Sequence, residues 1–170
     1  GYETVAVSPG FEHVALRRAD VFLDTGQLNE FEWAVSEVTG LSILADAVLP
    51  YLAADAHRSR ILDAFTVAES QALGLRPSRE FVFVHVFAPH SPQVFDAAGR
   101  PLDVSGFLPS DDTQEISRYG LEVYARRLEG ELQFLNGRTI HLVDTVMEAD
   151  PGAVVVVFSD HGPGAPPREP

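Results

Sequence analysis

Residues 153–162 read Ala153-Val154-Val155-Val156-Val157-Phe158-Ser159-Asp160-His161-Gly162. A continuous apolar run is what a strand buried on both faces requires, which is the position of a central strand in a parallel sheet. The run breaks off into Ser159, Asp160, His161 and Gly162. In open α/β sheets, ligands bind just beyond the carboxyl ends of such strands. A carboxylate and an imidazole side by side at that point can hold one divalent ion, or two neighbouring ones. Gly162 lets the backbone turn away without a side chain in the path. Ser, Asp and Gly are also ordinary turn residues, so a plain strand-to-loop turn is the competing reading of the same residues.

The rest of the chain is consistent with a globular α/β domain. At 170 residues it is long enough to form one domain and bury roughly 70% of its unfolded surface. Hydrophobic residues make up 45% and charged residues 22%, ordinary globular proportions. No apolar run approaches ~20 residues, and the first residues show neither a charged n-region nor an apolar h-region. A soluble piece with no membrane segment is therefore expected. The absence of cysteine excludes disulfides and thiolate metal ligands, without identifying a compartment. A net charge of -13 argues against nucleic acid as partner, and pairs such as Arg17-Arg18 and Arg126-Arg127 are too short to reverse that. An acidic surface still admits an anionic substrate where a bound cation dominates the local field.

Taken in order, Gly1 to Val7 reads as a short strand ended by Ser8-Pro9-Gly10, and Ala19 to Leu23 as another, with a helical turn or two over Phe11–Arg18 between them. Entry into the first strand with almost no lead suggests a piece of a larger domain. Leu28, Phe31, Val35 and Val38 recur at helical spacing, with Trp33 off that stripe as a packing residue. Leu41 to Leu49 reads as a second helix stopped at Pro50, and Ile61, Phe65, Ala68 and Ala72 as a third ended by Gly74 and Pro77. His57 is expected in a solvated connection before that third helix. Phe81-Val82-Phe83-Val84-His85-Val86-Phe87 is a second run apolar on both faces, expected inside the sheet beside residues 153–158. It runs into Ala88-Pro89-His90-Ser91-Pro92, a histidine bracketed by prolines in a rigid turn. Phe95 to Asp112 reads as a loop. Asp112 or Thr113 is placed to cap a long amphipathic helix from Ile116 to Val146, broken near Asn136-Gly137, with His141 structural or solvent-facing. Asp150-Pro151-Gly152 turns that helix into the apolar run, and residues 163–170 form a Pro-rich extended tail.

Val-Val-Val-Val-Phe-Ser-Asp-His-Gly resembles the late metal-binding strand of the alkaline phosphatase superfamily, which includes sulfatases, phosphoethanolamine transferases and lipoteichoic acid synthase-like enzymes. Two further segments share the resemblance in the same order. Gly1-Tyr2-Glu3-Thr4 is similar to a Gly-Tyr-x-Thr strand of the sulfatase branch. His85, Pro89, His90 and Pro92 are similar to that family's mid-domain substrate loop. Asp-His in place of the Asp-Asn of many sulfatases tilts the likeness toward the phosphotransferase-like branches, with the sulfatase label open. Pro163 stands where many relatives carry an acidic or small residue.

The resemblance implies an alkaline phosphatase-like fold: a mostly parallel central sheet with helices on both faces, here a partial domain spanning residues 1–170. It implies a metal-dependent hydrolase or phosphotransferase acting on sulfate or phosphate esters. Asp160 and His161 would be metal ligands, and His85 and His90 substrate-binding groups, with His90 also catalytic. Zn or Mn suits an oxygen-plus-imidazole pair better than a carbonyl-rich Ca site, with Ca or Mg as alternatives. The family's Ser or Thr nucleophile and its remaining ligands have no counterpart here and would lie outside the chain, so the 170 residues alone are expected to be inactive. A parent that is secreted or membrane-anchored, hence extracytoplasmic, follows by resemblance only. Two alternatives stay open: a non-catalytic binding or scaffold domain of the same fold, and an unrelated doubly wound domain whose Asp160 and His161 are only turn residues. From the residues alone, the lesser alternative for His90 is that it only stabilises its own turn, and His85 is equally read as a core histidine bonded to a carbonyl.

Overall fold

A computed structural model describes residues 1–9, 14–25, 49–74, 79–104, 111–159 and 161–162. Among the described residues the sheet has three strands, β1 (Glu3–Val7), β2 (Val21–Leu23) and β3 (Glu80–Val84), in the order β2-β1-β3. Both pairings are parallel, with Val7 beside Leu23 on one edge and beside Val84 on the other. The short strand β1 is therefore the central one. Val5, Ala6 and Val7 are buried, as the middle strand of a parallel sheet requires. Thr4 adds a polar tie to the segment before β2: its backbone N–H and hydroxyl both donate to Asp20, at 2.8 and 2.7 Å.

Three helices complete the described architecture: α1 (Leu49–Leu73), α2 (Asp112–Tyr119) and α3 (Leu121–Ala149). The sequence places a break at Pro50 and starts a helix only after His57, whereas α1 runs without interruption from Leu49. Pro50 occupies the first turn, where a missing N–H costs nothing because those amides have no intrahelical acceptor. Gly74 ends the helix as expected, its N–H donating to the Ser70 carbonyl at 3.0 Å. The break anticipated at Asn136-Gly137 lies instead at Gly120, whose φ of 82° is open to glycine and separates α2 from α3. Asp111, one residue earlier than expected, caps α2 by accepting from the Gln114 N–H at 2.7 Å.

The core lies where α1, α3 and the chain following β3 meet. Ala54, Ile61 and Phe65 of α1 pack with Val94, Phe95, Val104 and Leu135. Residues 92–95 are thus interior, although Phe95 onward reads as a surface loop in the sequence. Arg138 of α3 donates to Glu69 of α1 at 3.0 Å and covers the Phe65 ring at 5.4 Å. The Gln71 side chain donates to Glu80 at 2.9 Å, so the end of α1 lies at the start of β3 and the helix runs back toward the strand's carboxyl end.

The largest departure from expectation is the apolar run itself. Ala153–Phe158 pairs with no strand among the described residues, and Val154 and Val156 are 89% and 73% exposed. β3, expected inside the sheet, forms its edge, with Phe81 57% exposed. A strand apolar on both faces is stable only where both faces are covered. Beside β3 that cover is missing among the described residues, where Phe81 and Val82 are 57% and 40% exposed. The helical stripe of Leu28–Val38, Trp33, most of Leu41–Leu49, Pro77, residues 105–110, Asp160 and the 163–170 tail lie outside the described residues, as do residues 11–13 of the turn expected after β1. No described helix is long and apolar enough to cross a membrane.

Candidate functional site

The carboxyl ends of β1 and β3 set the site's position. From the register of Val7 with Val84, Ser8 and His85 follow side by side at the same edge of the sheet. Ser8 is buried, and its N–H donates to the Leu23 carbonyl at 2.8 Å. Beyond His85 the chain passes through Phe87 to His90, with cis bonds at Ala88–Pro89 and Ser91–Pro92. Aromatic and imidazole rings pack along this path. Phe83 and Phe87 stand edge-on to His85 at 6.2 and 6.4 Å, and Phe87 stacks on His90 at 4.4 Å with an interplanar angle of 26°.

The chemistry open to His90 follows from its partner. Its Nδ1 lies 2.9 Å from the Ser91 carbonyl oxygen. A carbonyl can only accept, so Nδ1 carries the proton and Nε2 is the nitrogen left to take a proton, bind a metal or, once protonated, donate to an oxyanion. Stacking and this hydrogen bond together hold the ring in one orientation.

The loop that carries His90 is tied down from two helices. Glu131 of α3 is fully buried and accepts from the N–H groups of Val94 and Phe95 at 3.0 and 3.3 Å. Burial pushes its carboxyl up to about 7, against the pull of those two amides, and its second oxygen has no hydrogen-bond partner. Arg58 of α1 donates to the carbonyls of Val94 and Leu102 from the other side. Within the loop, Ser91 donates its hydroxyl to Asp112 at 2.6 Å, and Gln93 donates to the Ser91 hydroxyl at 3.2 Å. Tyr124 lies beside Asp112, and burial first, then that carboxylate, pushes its phenol up to about 12. Gly130 lets the loop press on α3, where a Cβ would stand 3.2 Å from the Ala97 nitrogen.

His57, placed by sequence in a solvated connection, is instead buried inside α1, 6% exposed, with its ring edge-on to Phe87 at 6.5 Å. Burial first, then the charges of Arg60, His90 and Arg58, lowers its pKa to about 3, so the ring is neutral at physiological pH. A signal for it is present in the sequence: His57 lies four residues before Ile61, on the same helical stripe as Ile61 and Phe65. Glu131 carries the same signal, four residues before Leu135 on the buried stripe of α3. His141 is exposed on α3, as expected.

The metal-ligand pair fares differently. Asp160 lies outside the described residues. His161 is exposed, with Nδ1 2.7 Å from the Gly162 carbonyl, so Nε2 is the nitrogen an ion would meet. The strand pairing expected to carry His161 to the edge where His85 and His90 sit is not formed. Among the described residues, no group of three or more His, Cys, Asp or Glu is arranged to hold an ion. A pair does not complete a four-coordinate site.

Comparison of the chain with protein-family models, with curated proteins and with solved structures finds no match in any of the three.

Proposed function

We propose that this chain is the middle-to-late part of a sulfatase-like, alkaline phosphatase-type hydrolase or phosphotransferase that acts on sulfate or phosphate esters. The observation that carries the reading is the setting of His90. It is a histidine at the carboxyl edge of a parallel sheet, with Nδ1–H donated to a carbonyl, its face on an aromatic ring and Nε2 left for a ligand. In the reaction, His90 would donate from Nε2 to a non-bridging oxygen of the ester or protonate the departing alcohol, and His85 would line the same edge.

Asp160 and His161 would be two of the ligands of a divalent ion, Zn or Mn before Ca or Mg, and the ion would polarise the ester oxygens. The Ser or Thr nucleophile and the other ligands would come from sequence outside these residues. In the complete domain Ala153–Phe158 would take the open edge beside β3, where its apolar side chains gain cover and its end reaches His90. A parent that is secreted or membrane-anchored fits this chemistry.

Titration calorimetry with Zn or Mn on the parent protein tests the reading. Asp160→Ala and His161→Ala are expected to weaken binding at least tenfold each, and His90→Gln to leave it unchanged. Equal affinity in all three would overturn the metal assignment and favour a turn with no ligand role.

A further inference from the structure

Helix α1 contributes a buried imidazole that the proposed chemistry does not use. His57 sits among apolar residues one and two turns from Ile61 and Phe65, yet a leucine or phenylalanine there would fill space without the cost of burying a polar ring. Its contacts explain what that cost secures. The His57 ring meets Phe87 edge-on at 76°, and Phe87 also stacks on His90 at 26°. His85 reaches the same phenyl ring at 61°. Phe87 is thus a hub held by three imidazoles, one from the helix, one from the strand end and one from the loop. Edge-on and offset aromatic contacts of this type fix ring orientation as well as adding stability.

We propose that His57 is a positioning residue for His90. It holds Phe87 from the helix side, and Phe87 in turn fixes the plane of the His90 ring, so that α1 sets the direction of the Nε2 lone pair. The inference rests on the reading of His90 as a ligand-facing group, but its geometry stands without it. Two features bear on it independently. His57 is neutral in the folded state, so it adds no charge beside the guanidinium groups of Arg60 and Arg58. The His90 tautomer is set locally by the Ser91 carbonyl, which leaves ring rotation as the freedom that Phe87 must remove.

Nitrogen-15 and ring-proton NMR of the histidines in the full chain tests the proposal. In the wild type the His90 ring protons are expected upfield, as stacking on a phenyl ring demands, with the proton on Nδ1. Phe87→Leu should abolish the upfield displacement. His57→Ala should diminish it while the proton stays on Nδ1, whereas His57→Phe, which keeps an edge against Phe87, should retain it. Backbone amide spectra confirm that each variant folds. If Phe87→Leu moves the His90 signals but His57→Ala and His57→Phe both leave them as in wild type, the proposal is overturned. A parallel titration with inorganic phosphate separates this from the ester reading. Phosphate that shifts no histidine signal of the parent protein loaded with Zn, with the variant pattern above intact, would sink the ester reading and still support His57 as the positioning group.

Discussion

Glu131→Gln isolates one buried carboxyl whose ionisation the fold opposes. Glu131 is 0% exposed, with one oxygen taking two backbone N–H groups and the other unpartnered. Among the described residues no charged neighbour contributes to its shift: burial raises its pKa from 4.5 to about 7 and the two amides only lessen that rise. Between those values the native state binds a proton that the unfolded chain has released. Stability therefore falls as pH rises through this window, and the loss is complete above pH ~8. At 1.36 kcal/mol for each pH decade between 4.5 and about 7, the loss is roughly 3 kcal/mol.

Glutamine keeps the accepting oxygen and replaces the other with an amide nitrogen that lacks a partner. That deficiency resembles the unpaired hydroxyl of the protonated acid. The variant should thus match wild type near pH 4.5 and exceed it by about 3 kcal/mol at pH 8. Asp20 and Asp96 have carboxyls held below their usual range by the Thr4 hydroxyl and the Arg100 backbone N–H, and they pull stability in the opposite direction. They are common to both proteins and cancel in the difference. Urea unfolding from pH 4 to 9, read as the change in midpoint at constant slope, measures it. A wild-type-minus-variant difference that stays constant to within ~0.5 kcal/mol across this range would refute the argument.

Two further substitutions test the loop and the apolar run. Gly99 has a φ of 74°, and a Cβ there would lie 2.6 Å from the Phe134 ring, so Gly99→Ala should cost about 1–3 kcal/mol in urea unfolding, the cost of left-handed strain with a clash. An unchanged midpoint would show that the turn relaxes freely. Val156→Lys, at a position 73% exposed, should leave the unfolding free energy of the isolated chain within ~0.5 kcal/mol while reducing its association in sedimentation experiments, because a charge breaks an uncharged β-prone run. A loss of several kcal/mol would show that the run is buried in the sheet.

Several parts of the fold are legible in the sequence because the local chemistry decides them. Gly74 as a helix end, Asp150-Pro151-Gly152 as a turn, and the strand at Glu3–Val7 each depend on a few adjacent residues. The features that escape a sequence reading depend on partners distant in the chain. Valine runs are ambiguous for that reason: Val154–Val157 have the composition of a central strand, but composition does not supply a neighbour, and the shorter Val5–Val7 holds the centre because β2 and β3 flank it. Pro50 reads as a stop because proline ends helices more often than it sits in their first turn. That single reading moves His57 out of α1 and hides its place on the stripe of Ile61. Glu131 shows the same limit, since a glutamate on an amphipathic helix reads as solvated until the amides of Val94 and Phe95 are known to face it.

The two halves of the proposed site differ in how much order they already possess. His90 has its tautomer set by Ser91, its face set by Phe87 and its loop clamped by Glu131 and Arg58, so little rotational freedom remains to be lost when a ligand arrives. His161 is exposed at the end of a run that pairs with nothing described, so no strand pairing holds it beside His90. Burial of Val154, Val156 and Phe158 against the edge of β3, at roughly 1.5–3 kcal/mol per side chain, is the interaction that would hold it there. On the proposed reading, affinity for an ester is then governed by what covers that edge more than by the histidine loop. Substitutions in Ala153–Phe158 would change affinity by the larger factor, and substitutions around Phe87 would change chiefly how a bound ester is aligned.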